Sequence, residues 1–314
     1  MANVETVDVS GLWSASSDVR TQTDDAIWQA LLSTGSMVLT NFPNAEKIDG
    51  WALAGHRFFD APETVRQQVE IGLSRPGNKN LYRGYHPING THFNNSYLDF
   101  GPDGQMEAPD LPGISVLTEA SPWPDIPGFK ENIRACYQAL NELAQKIMSS
   151  IGRSAGFDGN AIADRFAGEH STLRFLDYPM SDPTQNDGIA AFRHVDASGL
   201  SLLWQGQPGL QAEAPDGAFY DVPMRENCIS LHVGTVMDGL TGGAVPATPH
   251  RVLASDGPRK SMGFFLEPKL SAPLTPADVP LSETSVEDTY AYLLLKTLHG
   301  RDKYKDVVPD PAAA

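Results

Sequence analysis

The sequence predicts a mainly β protein with flanking helices: a helical N-terminal region, a β core and a C-terminal helix. Three observations support this fold class. Residues 171–267 contain short runs rich in Leu, Val, Phe and Tyr, broken by Gly and Pro, which is typical of an all-β barrel or double-sheet roll. Helical spacing precedes this region over residues 129–154 and returns over residues 287–298.

The N-terminal region is predicted to be mainly helical. The predicted elements are a helix over residues 24–32 capped by Thr23, a buried strand over 36–42, a helix over 51–59 and another that opens at Pro62. Residues 74–128 are rich in Gly, Pro and Asn and show little periodicity. Because this stretch is long for a loop, we expect it to be functional or partly ordered.

No repeat or low-complexity linker divides the chain, so a single domain over residues 1–314 is predicted. Its regions are an N-terminal helical and loop region (1–120), a long support helix (121–165), the β core (166–270), and a C-terminal helix and tail (271–314). The hydrophobic fraction of 41% is ordinary for a globular protein.

The charge balance bears on the class of partner. The formal net charge is −16, from 23 basic and 39 acidic residues, which argues against nucleic acid or an anionic membrane as a main partner. The excess of acidic residues otherwise favours solubility. A small-molecule substrate is expected from the motifs described below, and if that molecule is an anion it needs local arginines rather than a general positive field.

A cytoplasmic location is expected. Cys136 and Cys228 are the only cysteines and do not form a disulfide framework. The first residues lack the basic and apolar regions of a secretory signal, and no apolar run reaches the ~18 residues of a membrane span. The sequence does not indicate the oligomeric state.

A possible metal site is formed by His194, Asp196 and His250. On a strand, His194 and Asp196 share a face, and His250 follows 54 residues later, far enough for antiparallel strands to return. Two imidazoles and one carboxylate are the facial triad of non-heme Fe(II) oxygenases, which leaves coordination positions open. His232, in the predicted strand 228–233, is the alternative third ligand.

A possible carboxylate site follows the second histidine. Arg259 and Ser261 alternate with Lys260, so on a strand they share a face with Phe265. A guanidinium on this face suits the carboxylate of an organic acid. The alternative is a structural arginine that pairs with an acidic residue of the core.

Several further residues are predicted to face the substrate. Arg174 has the same strand parity as Tyr178, so it points either toward a substrate carboxylate or toward a neighbouring acid. Phe265 is expected to wall the pocket, and Trp204 either walls the pocket or packs in the core. The remaining candidates lie on the long 74–128 stretch, which could form a lid, and each is either structural or in contact with substrate: Arg83, Tyr85 and Asn95.

Several segments together resemble the iron- and 2-oxoglutarate-dependent oxygenases of the isopenicillin-N-synthase-like superfamily, over nearly the whole chain. These segments are Phe58-Phe59-Asp60-Ala61-Pro62, Arg83-Gly84-Tyr85, Arg174 to Tyr178-Pro179, His194 to Gln205, Thr241-Gly242-Gly243 and Pro249-His250-Arg251-Val252. The resemblance implies a double-stranded β-helix (jelly-roll) core wrapped by helices.

The resemblance also implies the cofactors. Fe(II) is expected at His194, Asp196 and His250, with O2 and 2-oxoglutarate as co-substrates. Arg259 and Ser261, helped by Tyr178, are expected to hold the distal carboxylate of 2-oxoglutarate.

The chain departs from the family pattern at two positions. Gly234-Thr235 stands where many members have Gly-Asp, and Leu176 stands where Asn is usual. Neither change removes a metal ligand. The Thr241-Gly-Gly segment and the ending Phe264-Phe265-Leu266-Glu267-Pro268 are more similar to bacterial cephalosporin-type ring expandases than to plant hormone oxidases.

The expected function is oxidation of a small organic molecule in natural-product or amino-acid-derived metabolism, with release of succinate and CO2. The sequence does not distinguish hydroxylation, desaturation and ring formation. One alternative is an iron oxidase of the isopenicillin N synthase type, which needs no 2-oxoglutarate. A second is a non-catalytic β-roll protein that binds a small acid.

Overall fold

The computed structural model describes residues 4–88, 95–104, 106–157, 162–167, 170–178, 186–276 and 283–313. The helices are α1 (Ser17–Thr34), α2 (Ile48–His56), α3 (Glu63–Gln68), α4 (Ile114–Leu117), α5 (Phe129–Ser154), α6 (Thr235–Leu240) and α7 (Tyr290–His299). The strands are β1 (Glu5–Asp8), β2 (Ser36–Thr40), β3 (Gly84–His86), β4 (Ser96–Phe100), β5 (Thr172–Tyr178), β6 (Ile189–His194), β7 (Leu200–Gln205), β8 (Leu210–Glu213), β9 (Phe219–Asp221), β10 (Ile229–Val233), β11 (His250–Leu253) and β12 (Arg259–Leu266).

The described strands form two sheets that pack face to face. The larger sheet has the order β1-β2-β10-β7-β12-β5-β4-β3, and the smaller has the order β6-β11-β8-β9. Val38 and Leu203 of the larger sheet pack with Leu210 and Val252 of the smaller one, which fills part of the space between them. This arrangement is the predicted jelly-roll core.

The outer face of the larger sheet packs against helices, and α5 is the longest of them. Cys136 of α5 lies 3.7 Å, sulfur to sulfur, from Met262, and the rings of Tyr137 and Phe264 are 5.2 Å apart. Met262 and Phe264 therefore face the helices. Because side chains alternate along a strand, Arg259 and the other odd-numbered residues of β12 face the inside of the roll.

The N-terminal region contains the strand predicted over 36–42, which is β2 (Ser36–Thr40). It also contributes β1, β3 and β4, which were not predicted, and these four strands extend the larger sheet at both edges. β3 and β4 lie inside the 74–128 stretch, where no strand was predicted, and β4 pairs directly with β5. This stretch therefore carries part of one wall of the roll.

The start of α1 differs from the prediction. The helix begins at Ser17 and its N-cap is Ser16, whose hydroxyl accepts a hydrogen bond from the amide of Val19. Thr23 lies inside the helix and donates its hydroxyl to the carbonyl of Val19, so it is not the cap. The sequence pattern did not reveal the first two turns because polar residues dominate them.

The other predicted helices lie near their predicted positions, whereas the short α4 and α6 were not predicted. α5 covers Phe129–Ser154, as predicted. α7 starts at Tyr290, three residues later than predicted, because Val286–Asp288 form a 3-10 turn closed by a capping box between Ser285 and Asp288. None of the described helices is both long and apolar enough to cross a membrane.

Candidate active site

The register of the smaller sheet brings His194, Asp196 and His250 together. His194 ends β6, His250 begins β11, and the two are direct partners across the antiparallel pair. Asp196 follows β6 by two residues, and its carboxylate oxygens lie 3.8 Å from His194 Nε2 and 3.6 Å from His250 Nε2. One ligand atom from each residue lies within 4.8 Å of the others. This is the geometry of a facial metal-binding triad.

Backbone contacts orient both imidazoles. His194 donates Nδ1–H to the carbonyl of Phe192 at 2.7 Å, and His250 donates Nδ1–H to that of Thr248 at 3.2 Å. Each contact directs Nε2 toward Asp196 and selects the tautomer that a metal requires. Burial lowers the pKa of His250 although Asp196 opposes the shift, so the neutral ligand form is favoured.

Ser201 fixes the carboxylate of the triad. Its hydroxyl, on β7, donates to Asp196 Oδ2 at 2.6 Å. This contact holds one carboxylate oxygen and thereby limits rotation of the group.

Ser201→Ala is expected to weaken Fe(II) affinity about 10- to 100-fold, because contacts that orient a metal ligand contribute on that scale. Anaerobic equilibrium dialysis with Fe(II) measures the change. Ser230→Ala, on the neighbouring strand, is the matched control because its hydroxyl donates to the carbonyl of Leu203 rather than to a triad residue. Equal affinity in the Ser201 variant and the wild type would assign the serine a packing role.

His232 does not join the triad. It is fully buried on β10, its ring centroid lies 5.1 Å from that of His250, and its Nε2 lies 3.3 Å from the hydroxyl of Ser230. Its pKa is lowered well below the usual value by burial, and then by His250 and His194. Among the described residues, the group that can share a metal contains His250 and not His232.

Arg259, Ser261 and Tyr178 lie together on the inner face of the larger sheet. Arg259 and Tyr178 are cross-strand partners, and the guanidinium carbon lies 5.3 Å from the centroid of the tyrosine ring. All three residues are buried, and Arg259 is only 3% exposed. Pro179, which follows Tyr178, lies outside the described residues.

The guanidinium of Arg259 has no protein counter-ion within the described part of the chain. Its Nε is buried without a hydrogen-bond partner, and burial lowers its pKa, with Tyr178 opposing. A buried charge of this kind is costly unless an anion pairs with it. The predicted alternative, a structural arginine paired with a core acid, is not found among the described residues, and a carboxylate ligand fits the site.

Arg174 pairs with a neighbouring acid, which is one of the two alternatives that the sequence left open. Its Nε and Nη2 each donate to one carboxylate oxygen of Asp99 at 2.7 Å. The guanidinium carbon also lies 4.2 Å from the ring centroid of Tyr97 and 5.6 Å from that of Phe265. Phe265 faces the inside of the roll, as predicted, and Arg174 lies on the same wall.

The predicted substrate role of Arg83 is wrong. The side chain is 0% exposed and donates to the hydroxyl of Thr172 at 2.6 Å and to the carbonyl of His170 at 2.9 Å. Thr172 in turn donates to Glu267, which also accepts from Tyr290 of α7. Arg83 therefore belongs to a buried polar network that joins β5, β12 and the C-terminal helix.

Arg83→Met is expected to lower the free energy of unfolding by about 3–5 kcal/mol, because it removes one member of a buried charged network and leaves Glu267 less compensated. Urea denaturation measures this change. Arg134→Met is the control: Arg134 pairs with Asp103 at the surface, and such pairs contribute about 0–1 kcal/mol. Similar losses in both variants would contradict a structural role for the network.

Trp204 follows its core alternative and Tyr85 its structural one, because both side chains lie on the other face of the sheet. Trp204 belongs to the core between the sheet and the helices and donates its indole N–H to Asp49 at 2.6 Å. Tyr85 packs in the same core, 5.1 Å from Phe58 between ring centroids. Asn95 is buried just before β4, at the end of a wall strand.

Sequence reasoning missed Ser201 and Asp99. Ser201 lies five residues after Asp196. The face that its side chain occupies follows only from its pairing with Phe265 across the sheet. Asp99 has the same strand parity as Tyr97, which was a signal for a shared face. Their partners became evident only with the strand register.

The comparisons with known proteins agree with this site. The model of the 2OG-Fe(II) oxygenase superfamily matches residues 169–268, which include the triad, Tyr178, Arg259 and Ser261. The 2-oxoglutarate-dependent dioxygenase frbJ of Dothideomycetidae sp. (strain 11243) is 29% identical over 273 residues, 82% of this chain and 73% of that protein. The isopenicillin N synthase of Streptomyces clavuligerus is 26% identical over 84% of each chain.

Solved structures share the fold. A full-length protein of Neurospora crassa in complex with alpha-KG and 5-formyluracil has a TM-score of 0.74 at 23% identity, over 93% of this chain and 94% of that one. JOX2 in complex with 2OG, Fe and JA has a TM-score of 0.72 at 20% identity, over 93% of this chain and 84% of that one. With the triad and the buried arginine in place, residues 169–268 match the 2OG-Fe(II) oxygenase superfamily, and the chain is an iron- and 2-oxoglutarate-dependent dioxygenase.

Proposed function

We propose that this enzyme oxidises a C–H bond of a small organic molecule by hydroxylation, desaturation or ring formation, in natural-product or amino-acid-derived metabolism. The observation that carries the proposal is the pairing of the His194, Asp196 and His250 triad with an unpaired buried guanidinium on the facing sheet. The metabolic context is supported by relatives named isopenicillin N synthase and 1-aminocyclopropane-1-carboxylate oxidase.

Each residue has a distinct role in this proposal. His194, Asp196 and His250 hold Fe(II), and Ser201 keeps the carboxylate in its ligating orientation. When bound, the iron supplies O2-dependent oxidation of a C–H bond, coupled to conversion of 2-oxoglutarate to succinate and CO2.

The pocket residues position the organic molecules. Arg259 and Ser261, beside Tyr178, bind the distal carboxylate of 2-oxoglutarate, for which the planar guanidinium is a bidentate partner. The apolar wall that includes Phe265 limits the access of water. The inside of the roll therefore sets where the substrate lies relative to the metal.

Succinate release tests the proposed reaction. The purified protein is incubated with Fe(II), 2-oxoglutarate, O2 and a panel of amino-acid-derived and natural-product-like molecules, and succinate and oxidised product are measured together. The proposal expects one succinate for each oxidised product. Product without succinate would identify the 2-oxoglutarate-independent type of iron oxidase instead.

A further inference from the structure

The guanidinium of Arg174 is held rigidly at the wall of the substrate pocket. Asp99 accepts from its Nε and Nη2, and the ring of Tyr97 lies against its face. Nη1 donates no hydrogen bond to the described residues, and 32% of the side chain is exposed. One edge of a fixed guanidinium is therefore available to a ligand.

The sheet register brings this edge close to the metal site but keeps it apart from Arg259. Arg174 is the cross-strand partner of Gly263, four residues along β12 from Arg259, about 13 Å at the rise of a strand. Ser201, which bonds Asp196, lies on β7 on the far side of β12, about 10 Å or two strand spacings from β5. A molecule held at Arg174 thus reaches toward the triad without occupying the Arg259 site.

Gly263 leaves space for the ring of Phe265 next to Arg174. A Cβ atom at residue 263 would lie 2.9 Å from Cζ of Phe265, so the ring of Phe265 rests against the glycine backbone. Phe265 and Tyr97 both face Arg174 and are only partly buried. Together they offer apolar ring surface next to the free edge of the guanidinium.

The local charge is positive in a protein whose net charge is −16. Asp99 balances Arg174, but the segment after α7 adds Arg301 and Lys303 near the same position. The pKa of Lys303 is lowered, first by desolvation and then by the positive charges of Arg301 and Arg174, with Asp99 opposing. Among the described residues, neither Arg301 nor Lys303 forms an ion pair with a carboxylate.

We propose that the substrate carries a carboxylate, bound between the free edge of Arg174 and the ammonium group of Lys303, with its apolar body against Phe265 and Tyr97. This inference rests on the proposed function of the site and names its substrate class. A planar carboxylate matches the guanidinium edge, and Lys303 adds a mobile point charge. Because Arg174 lies about two strand spacings from Ser201, which bonds the triad residue Asp196, the carbon that is oxidised is not the one that bears the carboxylate.

Matched pairs of ligands test the proposal. The protein is loaded anaerobically with Fe(II) and saturating 2-oxoglutarate, which fills the Arg259 site, and is titrated calorimetrically with aryl and alkyl carboxylic acids and their primary amides. At least one acid is expected to bind about tenfold or more tightly than its amide, as is typical of a charged hydrogen bond. If no acid exceeds its amide while 2-oxoglutarate binds normally, the proposal is overturned.

Two variants locate the acid preference. Lys303→Met changes an exposed residue, and Arg174→Gln combined with Asp99→Asn replaces the ion pair by a neutral pair without leaving a lone buried charge. Both are expected to reduce the preference at least fivefold, about 1 kcal/mol. Arg134→Gln, which removes the comparable pair with Asp103 outside the roll, is expected to retain it.

The outcomes separate this proposal from the proposed function. An acid preference that persists in both the Lys303 variant and the double variant would contradict the carboxylate site. Because Lys303 is exposed, its variant remains informative even if the double variant does not fold. Failure of the wild type to bind 2-oxoglutarate would contradict the proposed function instead, and the first titration detects this before any acid is added.

Discussion

Asp196→Ala is expected to abolish Fe(II) binding and, with it, all turnover. Asp196 is the only carboxylate of the triad and lies between the two imidazoles, with one oxygen toward each Nε2. Without it, two neutral imidazoles remain, and a site of that composition binds Fe(II) weakly. Anaerobic equilibrium dialysis measures the bound metal directly. His194→Ala is expected to give the same result.

The control is Asp25→Ala, which removes an exposed carboxylate from α1, far along the chain from the triad. It is expected to bind Fe(II) like the wild type. Thermal unfolding of the metal-free proteins shows whether the Asp196 variant is folded. Stoichiometric Fe(II) binding by a folded Asp196 variant would contradict the assignment of the triad.

Alternation along a strand was sufficient to predict the faces of β12. Arg259, Ser261 and Phe265 point into the roll because β12 is regular over eight residues, so period two holds without interruption. The triad was predictable because two histidines and one aspartate are residue types that bind a metal, and because alternation places His194 and Asp196 on one face. Local sequence thus specified the most important groups.

The same reasoning was wrong where both faces of a strand are apolar or where the strand was not recognised. In β7 (Leu-Ser-Leu-Leu-Trp-Gln), Leu203 faces the inside and Trp204 the helices, and the alternation of residue types does not distinguish the two. Tyr85 lies on a strand of three residues whose orientation follows only from its pairing with Leu98. Such faces depend on register, which is set by residues far along the chain.

The buried polar contacts were also beyond the reach of local patterns. Arg83 meets Thr172 across 89 residues, and Arg174 meets Asp99 across 75. Each arginine on its own is compatible with a ligand, a core acid or a backbone carbonyl as its partner. The structure separates three cases among the described residues: Arg83 bonds protein acceptors through both Nη atoms but not through Nε, Arg174 bonds Asp99 along one edge, and the guanidinium of Arg259 has no hydrogen-bond partner.

This difference gives Arg259→Met two effects of opposite sign. Because the buried guanidinium has no counter-ion among the residues that the structure describes, its replacement by an apolar side chain of similar length is expected to leave the stability of the ligand-free protein unchanged or to raise it. In contrast, the affinity for 2-oxoglutarate is expected to fall at least tenfold, since a charge-assisted hydrogen bond contributes about 1.5–3 kcal/mol. Arg259→Lys is expected to retain part of the affinity, because it keeps the charge but not the planar fork.

Two measurements on the same proteins distinguish a role of Arg259 in binding 2-oxoglutarate from a structural role. Anaerobic titration of the Fe(II)-loaded protein, followed by the weak visible charge-transfer band, gives the dissociation constant of 2-oxoglutarate, and urea denaturation gives the free energy of unfolding. Arg251→Met is the matched control, because Arg251 bonds Gln211 and stacks on Phe219 in the smaller sheet. If Arg259→Met destabilises the ligand-free protein and leaves the 2-oxoglutarate affinity unchanged, Arg259 is a structural residue. A lower affinity for 2-oxoglutarate with an unchanged free energy of unfolding is explained only by a role of Arg259 in binding the co-substrate. A guanidinium that stabilises the fold would instead lower the free energy of unfolding of the ligand-free protein when it is removed.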